Sequence, residues 1–193
     1  MGTSCMHGGK MATKIDIPKI IDSSDYKICS YKDMEQEFFN WRKSLKLSER
    51  IAICLYRCKS DLFNKALRNN SLNMFRRWMN QNIYNAIKKS EISNNIIVYR
   101  NIAKDENKFL CSKQKGSSFI YNNYKGTHVG SKIKIGGCPA HCIFLLSKGT
   151  KGAYIGNIGP FKKEREFLLI KETPCHLLDI KIIENKTIYI IEV

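Results

Sequence analysis

The feature that most constrains the fold of this chain is a change of periodicity near residue 95. Residues 31–92 contain no Gly or Pro, and apolar side chains such as Met34, Phe38 and Trp41 recur at helical spacing. From residue 95 onwards the segments are β-branched and aromatic, and Gly or Pro interrupts them at short intervals. Helices followed by strands are typical of an α+β domain with a largely antiparallel sheet.

The spacing predicts the individual elements. Helices are predicted over residues 34–42, 48–56, 62–68 and 72–89, and Ser48 is the predicted N-cap of the second. Strands are predicted over residues 96–100, 118–122, 141–147, 152–155, 165–170, 176–183 and 187–193. We therefore expect an α+β fold in which N-terminal helices pack on a two-sheet, mainly antiparallel β core.

The chain carries a strong positive charge. Lys and Arg total 33 and Asp and Glu total 17, which gives a net charge of +16. Such a field attracts an acidic partner, which is a nucleotide, a nucleic acid, an acidic protein surface or an anionic membrane. The richness in Lys, Asn and Ile also explains part of the charge without a partner, because many lysines simply face water.

The eight cysteines bear on the cellular compartment and on metal binding. They are scattered through apolar segments, a pattern that fits free thiols in a reducing cytosol better than a disulfide framework. Cys138, His141 and Cys142 offer three zinc ligands within five residues. No second cluster of paired ligands follows, and structural zinc sites usually take four ligands. We therefore expect no metal.

The first residues differ in character from the rest. Residues 1–12 mix Met, Gly, Ser and His, and we interpret them as a non-native leader, with a natural start near Met11 and a single domain over 13–193. The helical half of that domain covers about 31–92 and the strand half about 95–193. No secretory signal is recognised, and no apolar run approaches the roughly 18 residues of a membrane span.

Two carboxylates stand together near the end of the chain. Glu164 and Glu166 flank Arg165 and precede the apolar run 167–170. Alternate residues of a strand face the same side, so a strand here would project both carboxylates into one space. Such a pair can orient a sugar hydroxyl and a nucleophile, although an acidic pair at a strand entrance is also typical of a solvated edge.

Other polar residues, earlier in the chain, stand at positions that suit ligand binding. Arg100 closes the apolar strand 96–100, and guanidinium binds carboxylates or phosphates in bidentate fashion. Asn64 and Arg68 share a helix face because they are four residues apart. The polar turn 124–128 follows the strand 118–122, and a Gly-rich loop carrying Phe161 precedes the two carboxylates.

Together these motifs resemble the toxin-type mono-ADP-ribosyltransferases of the arginine–serine–glutamate class, which include clostridial exoenzymes and actin-modifying toxins. The resemblance extends from about residue 34 to the C-terminus. Residues 53–68 are similar to the family's cofactor helix, and residues 86–100 to the lead-in to its strand arginine. Residues 148–169 are similar to its turn-turn loop and Glu-x-Glu strand. The order and intervals of these motifs make the resemblance specific.

The resemblance implies the ADP-ribosyltransferase fold and an activity. It implies cleavage of NAD at the nicotinamide–ribose bond and transfer of ADP-ribose to a protein side chain. Glu166 matches the catalytic glutamate, which binds a ribose hydroxyl and stabilises positive charge on the ribose. Glu164 matches the residue that orients and helps to deprotonate the acceptor, and Glu at this place goes with arginine acceptors.

The resemblance also implies the cofactor site. Arg100, a catalytic position, and Arg68 neutralise the NAD pyrophosphate, and Asn64, Tyr56 and Asn101 lie beside them.

A Ser-Thr-Ser turn of the family falls on Gly126-Thr127-His128, where only Thr127 matches. The resemblance places Gly126 and Thr127 at the cofactor and makes Thr127 a catalytic position. The first serine of the family's turn normally holds the catalytic glutamate, so here His128 or a water would have to substitute. Phe161 occupies the place of the loop aromatic that touches the target protein.

Several functions stay open at this point. The leading hypothesis is an arginine-directed mono-ADP-ribosyltransferase that is a monomer, uses NAD as co-substrate, and modifies a target protein such as actin or a small GTPase. The alternatives are an NAD glycohydrolase and a degenerate, inactive relative that acts as a binding module. Nucleic-acid binding is disfavoured because convergent carboxylates repel phosphates and no exposed aromatics are interleaved for base stacking. We expect action in a reducing cytosol, including that of a host cell reached by secretion or injection.

Overall fold

A computed structural model describes residues 14–21, 25–134, 138–159 and 164–193. The proposed leader, residues 1–12, lies outside these ranges. Within them, no helix combines the length and the apolar character needed to cross a bilayer.

Four helices form the N-terminal part of the structure. They are α1 (Tyr31–Glu37), α2 (Phe39–Ser44), α3 (Leu47–Arg68) and α4 (Met74–Lys88). Side chains cap two of them, since Ser30 Oγ accepts from the Asp33 N–H at 3.2 Å and Asn73 Oδ1 accepts from the Arg76 N–H at 2.9 Å.

The predicted helices differ from these in three ways. The helix predicted over 34–42 is divided between α1 and α2 at Phe38, whose backbone (φ −92°, ψ 12°) is not helical. The helices predicted over 48–56 and 62–68 form one helix, α3, with a kink at Lys59 (φ −143°, ψ 35°). Lys46 rather than Ser48 is the N-cap of α3, and the Glu49 carboxylate accepts from the Lys46 N–H at 2.8 Å.

The sequence pattern missed three short strands and one helix. Two of the strands are β1 (Lys14–Asp16) and β5 (Lys132–Lys134), which pair with each other, and the helix is α5 (Lys104–Cys111). The third strand is β4 (Lys125–His128), where a polar turn was predicted because the segment has no apolar run. The other strands are β2 (Ile96–Ile102), β3 (Ser118–Tyr121), β6 (Ala140–Leu146), β7 (Gly152–Tyr154), β8 (Glu166–Leu169), β9 (Thr173–Ile183) and β10 (Lys186–Glu192).

Eight strands form the main sheet in the order β3-β9-β10-β6-β2-β4-β8-β7. Only the β10–β6 pair is parallel among the strands described. The register between β2 and β4 is a single pair, Tyr99 opposite His128, so a five-stranded and a three-stranded part meet there. The predicted α+β class with a mainly antiparallel core is confirmed.

The helices cover one face of this sheet. Alternate β2 residues, such as Ile96 and Val98, join the core beneath the helices, whereas Ile97 joins a smaller core with β1 and β5. The Phe38 ring packs edge-on against Phe167 of β8, with ring centroids 5.8 Å apart. Tyr56 of α3 packs edge-on against Tyr124, the residue before β4, so α3 also lies against this end of the sheet.

Candidate active site

Both carboxylates of the Glu164/Glu166 pair contact one guanidinium, that of Arg57 on α3. Arg57 Nε donates to Glu166 Oε2 at 3.2 Å, and its Nη2 lies 3.5 Å from Glu164 Oε2. The Arg57 side chain is fully buried, Glu166 is 13% exposed and Glu164 is 53% exposed. One carboxylate is therefore held inside the protein while the other is open to solvent.

The two carboxylates do not share one strand, which corrects the expectation from the sequence. Strand β8 begins at Glu166, so Glu164 and Arg165 precede it rather than belong to it. The two carboxylates converge because Arg57 binds both, and strand alternation alone does not bring them together.

Gly126 of β4 provides the space that the Glu166 carboxylate fills. A Cβ atom at Gly126 would lie 2.5 Å from Glu166 Oε1, closer than nonbonded atoms approach. Thr127 is buried, and its hydroxyl donates to the Phe167 carbonyl oxygen at 2.9 Å. Thr127 thus ties β4 to β8 beside the carboxylate.

Burial raises the pKa of the Glu166 carboxyl, and the neighbouring Glu164 carboxylate acts in the same direction. Arg57 and, more weakly, Arg100 oppose this shift because they stabilise the anion. His128 lies opposite Glu166 in the β4–β8 register, and burial lowers the pKa of its imidazole. His128 is therefore the neutral neighbour of an acidic group.

Arg100 lies on the neighbouring strand β2 and contacts the backbone of the strand β4. Its Nη1 donates to the Gly126 carbonyl oxygen at 2.7 Å, and its Nε donates to Glu106 Oε2 at 3.1 Å. Lys125 Nζ donates to the other Glu106 oxygen at 2.8 Å and lies 3.8 Å from the centroid of the Tyr121 ring. Glu106, on α5, is thus the shared counter-ion of two cations.

These cations line a cavity of about 340 Å³. Arg68, at the end of α3, lines the same cavity and is exposed. Arg68 and Arg100, two of the predicted phosphate-binding residues, are therefore brought to one site. The remaining charged side chains of its lining are Asp61, Asp105, Glu106 and Lys125.

Asn64 and Tyr56 form a buried pair on α3. Asn64 Nδ2 donates to the Tyr56 hydroxyl at 3.0 Å, and burial raises the pKa of that hydroxyl. Tyr56 packs edge-on against Tyr124, which directly precedes β4, with ring centroids 5.9 Å apart. Asn64 Oδ1 is buried and finds no hydrogen-bond donor among the residues that the structure describes.

Two predicted residues do not join this group. Asn101 lies on the opposite face of β2 from Arg100, because adjacent strand residues alternate, and its Oδ1 is 2.8 Å from His141 Nδ1. Phe161 lies outside the described residues. Over the parts of the chain described, His, Cys, Asp and Glu side chains form no group of three suited to a metal ion.

Sequence reasoning missed three charged residues of the site, Arg57, Glu106 and Lys125. A charged residue next to the buried Tyr56 in an apolar helix segment was the available signal for Arg57. Glu106 belongs to the unpredicted helix α5, and Lys125 was assigned only to a polar turn.

Comparisons with known proteins agree with this architecture. An enterococcal protein, the NAD(+)–arginine ADP-ribosyltransferase EFV of Enterococcus faecalis, is 31% identical over 152 residues, which span 71% of this chain and 30% of that protein. This chain therefore spans less than a third of the curated relative it matches.

Solved structures share the fold. An ADP-ribosyltransferase of Clostridium botulinum superposes with a TM-score of 0.74 at 20% identity, over 87% of this chain and 98% of that one. The C3 exoenzyme of Clostridium limosum gives a TM-score of 0.74 at 20% identity, over 88% and 97% of the two chains. The model of the ADP-ribosyltransferase exoenzyme family matches residues 34–193, and this chain belongs to that family.

Proposed function

We propose that this chain is an NAD-dependent mono-ADP-ribosyltransferase that cleaves the nicotinamide–ribose bond and transfers ADP-ribose to an arginine side chain of a target protein. The observation that carries the proposal is the convergence of a buried and an exposed carboxylate, Glu166 and Glu164, beside an arginine-lined cavity. The enterococcal relative bears the name of the same activity.

The cavity suits the anionic co-substrate. Arg100 and Arg68 provide guanidinium groups for the pyrophosphate of NAD, which guanidinium binds in bidentate fashion. The unpaired Asn64 Oδ1 supports a ligand site on α3, because an unsatisfied buried acceptor costs about 1–3 kcal/mol unless a partner completes it.

The two carboxylates divide the chemistry between them. Loss of nicotinamide leaves positive charge on the ribose, and the largely buried Glu166 carboxylate stabilises that charge. Glu164 is exposed enough to meet an incoming side chain, and a guanidinium already lies 3.5 Å from it, that of Arg57. Because guanidinium is almost always protonated, an adjacent anion is needed to make it nucleophilic.

A second candidate function is NAD hydrolysis. The Glu164 side chain is 53% exposed, so water reaches the place that we assign to the acceptor. The two activities share the same cleavage step and differ only in the acceptor.

Labelled NAD mixed with the protein and a cell lysate tests both functions. We expect labelled protein bands with the wild-type chain and none with Glu166→Gln. Glu91→Gln, which changes an exposed carboxylate outside the site, serves as the matched control. Free ADP-ribose without bands identifies the hydrolase, whereas no turnover and no NAD binding contradict both functions. Actin and a small GTPase, as proteins of a host cell that the protein enters, are the first targets to test. Mass spectrometry of the labelled band identifies the modified residue.

Lys125 predicts a pH dependence of NAD binding. Burial lowers the pKa of its ammonium to about 8, although Glu106 opposes the shift. The group is charged below this pKa and neutral above it, so the cavity loses one positive charge as the pH rises through about 8. We expect the KM for NAD to increase about fivefold between pH 7 and pH 9, equivalent to ~1 kcal/mol of charge interaction.

Steady-state kinetics of NAD cleavage at several pH values measure this dependence. Lys125→Arg keeps its charge over the whole range, so its KM should stay low and nearly constant. Lys125→Met should have a raised and nearly constant KM. An unchanged pH dependence in both variants would show that another group titrates.

A further inference from the structure

We infer that Arg57 is a positioning residue of the active site: it holds the Glu166 carboxylate against Gly126 and joins it to Gly156 and Ile158, which follow β7. The inference rests on the proposed function for its kinetic consequences and on the described contacts for its geometry. It assigns to α3 a role that the sequence motifs do not contain.

The first observation is that each nitrogen of the Arg57 guanidinium has a partner. Besides its contacts with Glu166 and Glu164, its Nη1 donates to the Gly156 carbonyl oxygen at 3.3 Å and to that of Ile158. The side chain has no exposed surface. Guanidinium presents its donors in a rigid planar fork, so partners in several directions determine its position and its rotation.

The second observation is that the two oxygens of Glu166 have different neighbours. Oε2 accepts a hydrogen bond from Arg57. Oε1 lies only 2.5 Å from the position that a Cβ atom on Gly126 would take. The Gly126 backbone is not in the left-handed region, so its space rather than its backbone freedom calls for glycine. Arg57 and Gly126 therefore act on the same carboxylate from two sides.

The third observation connects the loop to this carboxylate. Gly156 and Ile158 follow β7, and Glu164 precedes β8, so Arg57 contacts both sides of the connection between these strands. A change at Arg57 should therefore affect acceptor use as well as NAD cleavage. A residue whose only role is to pack α3 against the core would not change acceptor use or NAD cleavage selectively.

Electrostatics supports this geometry. Burial and Glu164 raise the pKa of Glu166, and Arg57 is the strongest group that lowers it, with a weaker contribution from Arg100. His128 of β4 lies opposite Glu166 of the adjacent strand β8, and burial lowers the pKa of its imidazole. Without Arg57, Glu166 should ionise only at higher pH.

The experiment compares Arg57→Gln, Arg57→Lys, Gly126→Ala and the double variant Arg57→Gln/Gly126→Ala. We expect Arg57→Gln to reduce kcat for NAD cleavage about 100-fold, the effect of misplacing a reacting group. Its KM for NAD should stay within about threefold of the wild-type value, because the cavity cations remain. The acid limb of its pH profile should move to higher pH, and Arg57→Lys should restore part of kcat by keeping the charge.

Gly126→Ala should also reduce kcat, because its methyl group displaces the Glu166 carboxylate without touching Arg57 and adds no hydroxyl that could hold it. The double variant should be much more active than the product of the two single effects predicts, because both changes disturb one group. Independent effects, or an Arg57→Gln enzyme with wild-type kcat and pH profile, would overturn the inference.

A measurement without turnover separates this inference from the proposed function. NMR titration of carboxyl-labelled glutamate reports the ionisation of Glu166, assigned by its loss in Glu166→Gln. We expect the pKa of Glu166 to rise in Arg57→Gln and to remain closer to the wild-type value in Arg57→Lys. If Arg57→Gln does not fold, Gly126→Ala still tests how the Glu166 carboxylate is held, because it should change the Glu166 titration in an intact Arg57 background. Unchanged titrations would overturn the inference even if the wild-type protein is an active transferase.

Discussion

Replacement of Glu166 by Gln is expected to reduce kcat for NAD cleavage by about 1,000-fold, at the upper end of the loss caused by removing one electrostatic contact from a transition state. Gln keeps the shape of the side chain that fits beside Gly126, but it removes the negative charge that stabilises the ribose. Transfer and hydrolysis should fall together, because both begin with the same bond cleavage.

The measurement is release of labelled nicotinamide, with NAD binding followed separately. The KM for NAD should change little, since Arg100 and Arg68 are untouched. The residual activity should also lose the acid limb of the pH profile, because its titrating carboxylate is gone. Wild-type nicotinamide release from Glu166→Gln would exclude Glu166 as the catalytic carboxylate.

Replacement of Glu164 by Gln is expected to separate the two activities. Transfer to an arginine acceptor should fall about 100-fold or more, the usual contribution of a positioned general base. NAD hydrolysis should remain within a few-fold of wild type, because Glu166 keeps its contact with Arg57 at 3.2 Å. Transfer falls because the neutral amide of Gln cannot make a protonated guanidinium nucleophilic.

The assay compares transfer to agmatine, a small guanidinium acceptor, with free ADP-ribose in the same reaction. Glu91→Gln, which alters an exposed carboxylate, should leave the ratio of the two products unchanged. Full transfer to agmatine by Glu164→Gln would show that Glu164 does not serve the acceptor.

The sequence predicted the division into a helical half and a strand half because the periodicity of apolar residues is a local property. The helix α4 and the strands β2, β6 and β10 follow directly from apolar spacing and β-branched content. The kink in α3 was read as an end between two helices, because the polar residues around Lys59 interrupt the apolar spacing. The helix α5 was missed because it has few apolar residues and only Leu110 is buried.

The sequence predicted residues of the candidate site only where a motif of the family is present. Glu164, Glu166, Arg100, Asn64 and Arg68 stand in recognisable motifs. Of these, Arg68 and Arg100 line one cavity, and Arg57 contacts both Glu164 and Glu166. The resemblance implies that Asn101 lies at the cofactor beside Arg100, yet strand alternation turns Asn101 to the opposite face of β2.

The sequence by itself determined the fold class, the family and the pair of carboxylates, because spacing and motifs depend on residues close together in the chain. Only the tertiary structure decided what holds the buried carboxylate. Arg57 and Glu166 are 109 residues apart and meet because the fold brings α3 against the start of β8, with Tyr56 packed on Tyr124 just before β4. Gly126, which departs from the serine expected in the turn, leaves room for a carboxylate that Arg57 holds from the other side. Both roles depend on distances between elements, which no local pattern contains.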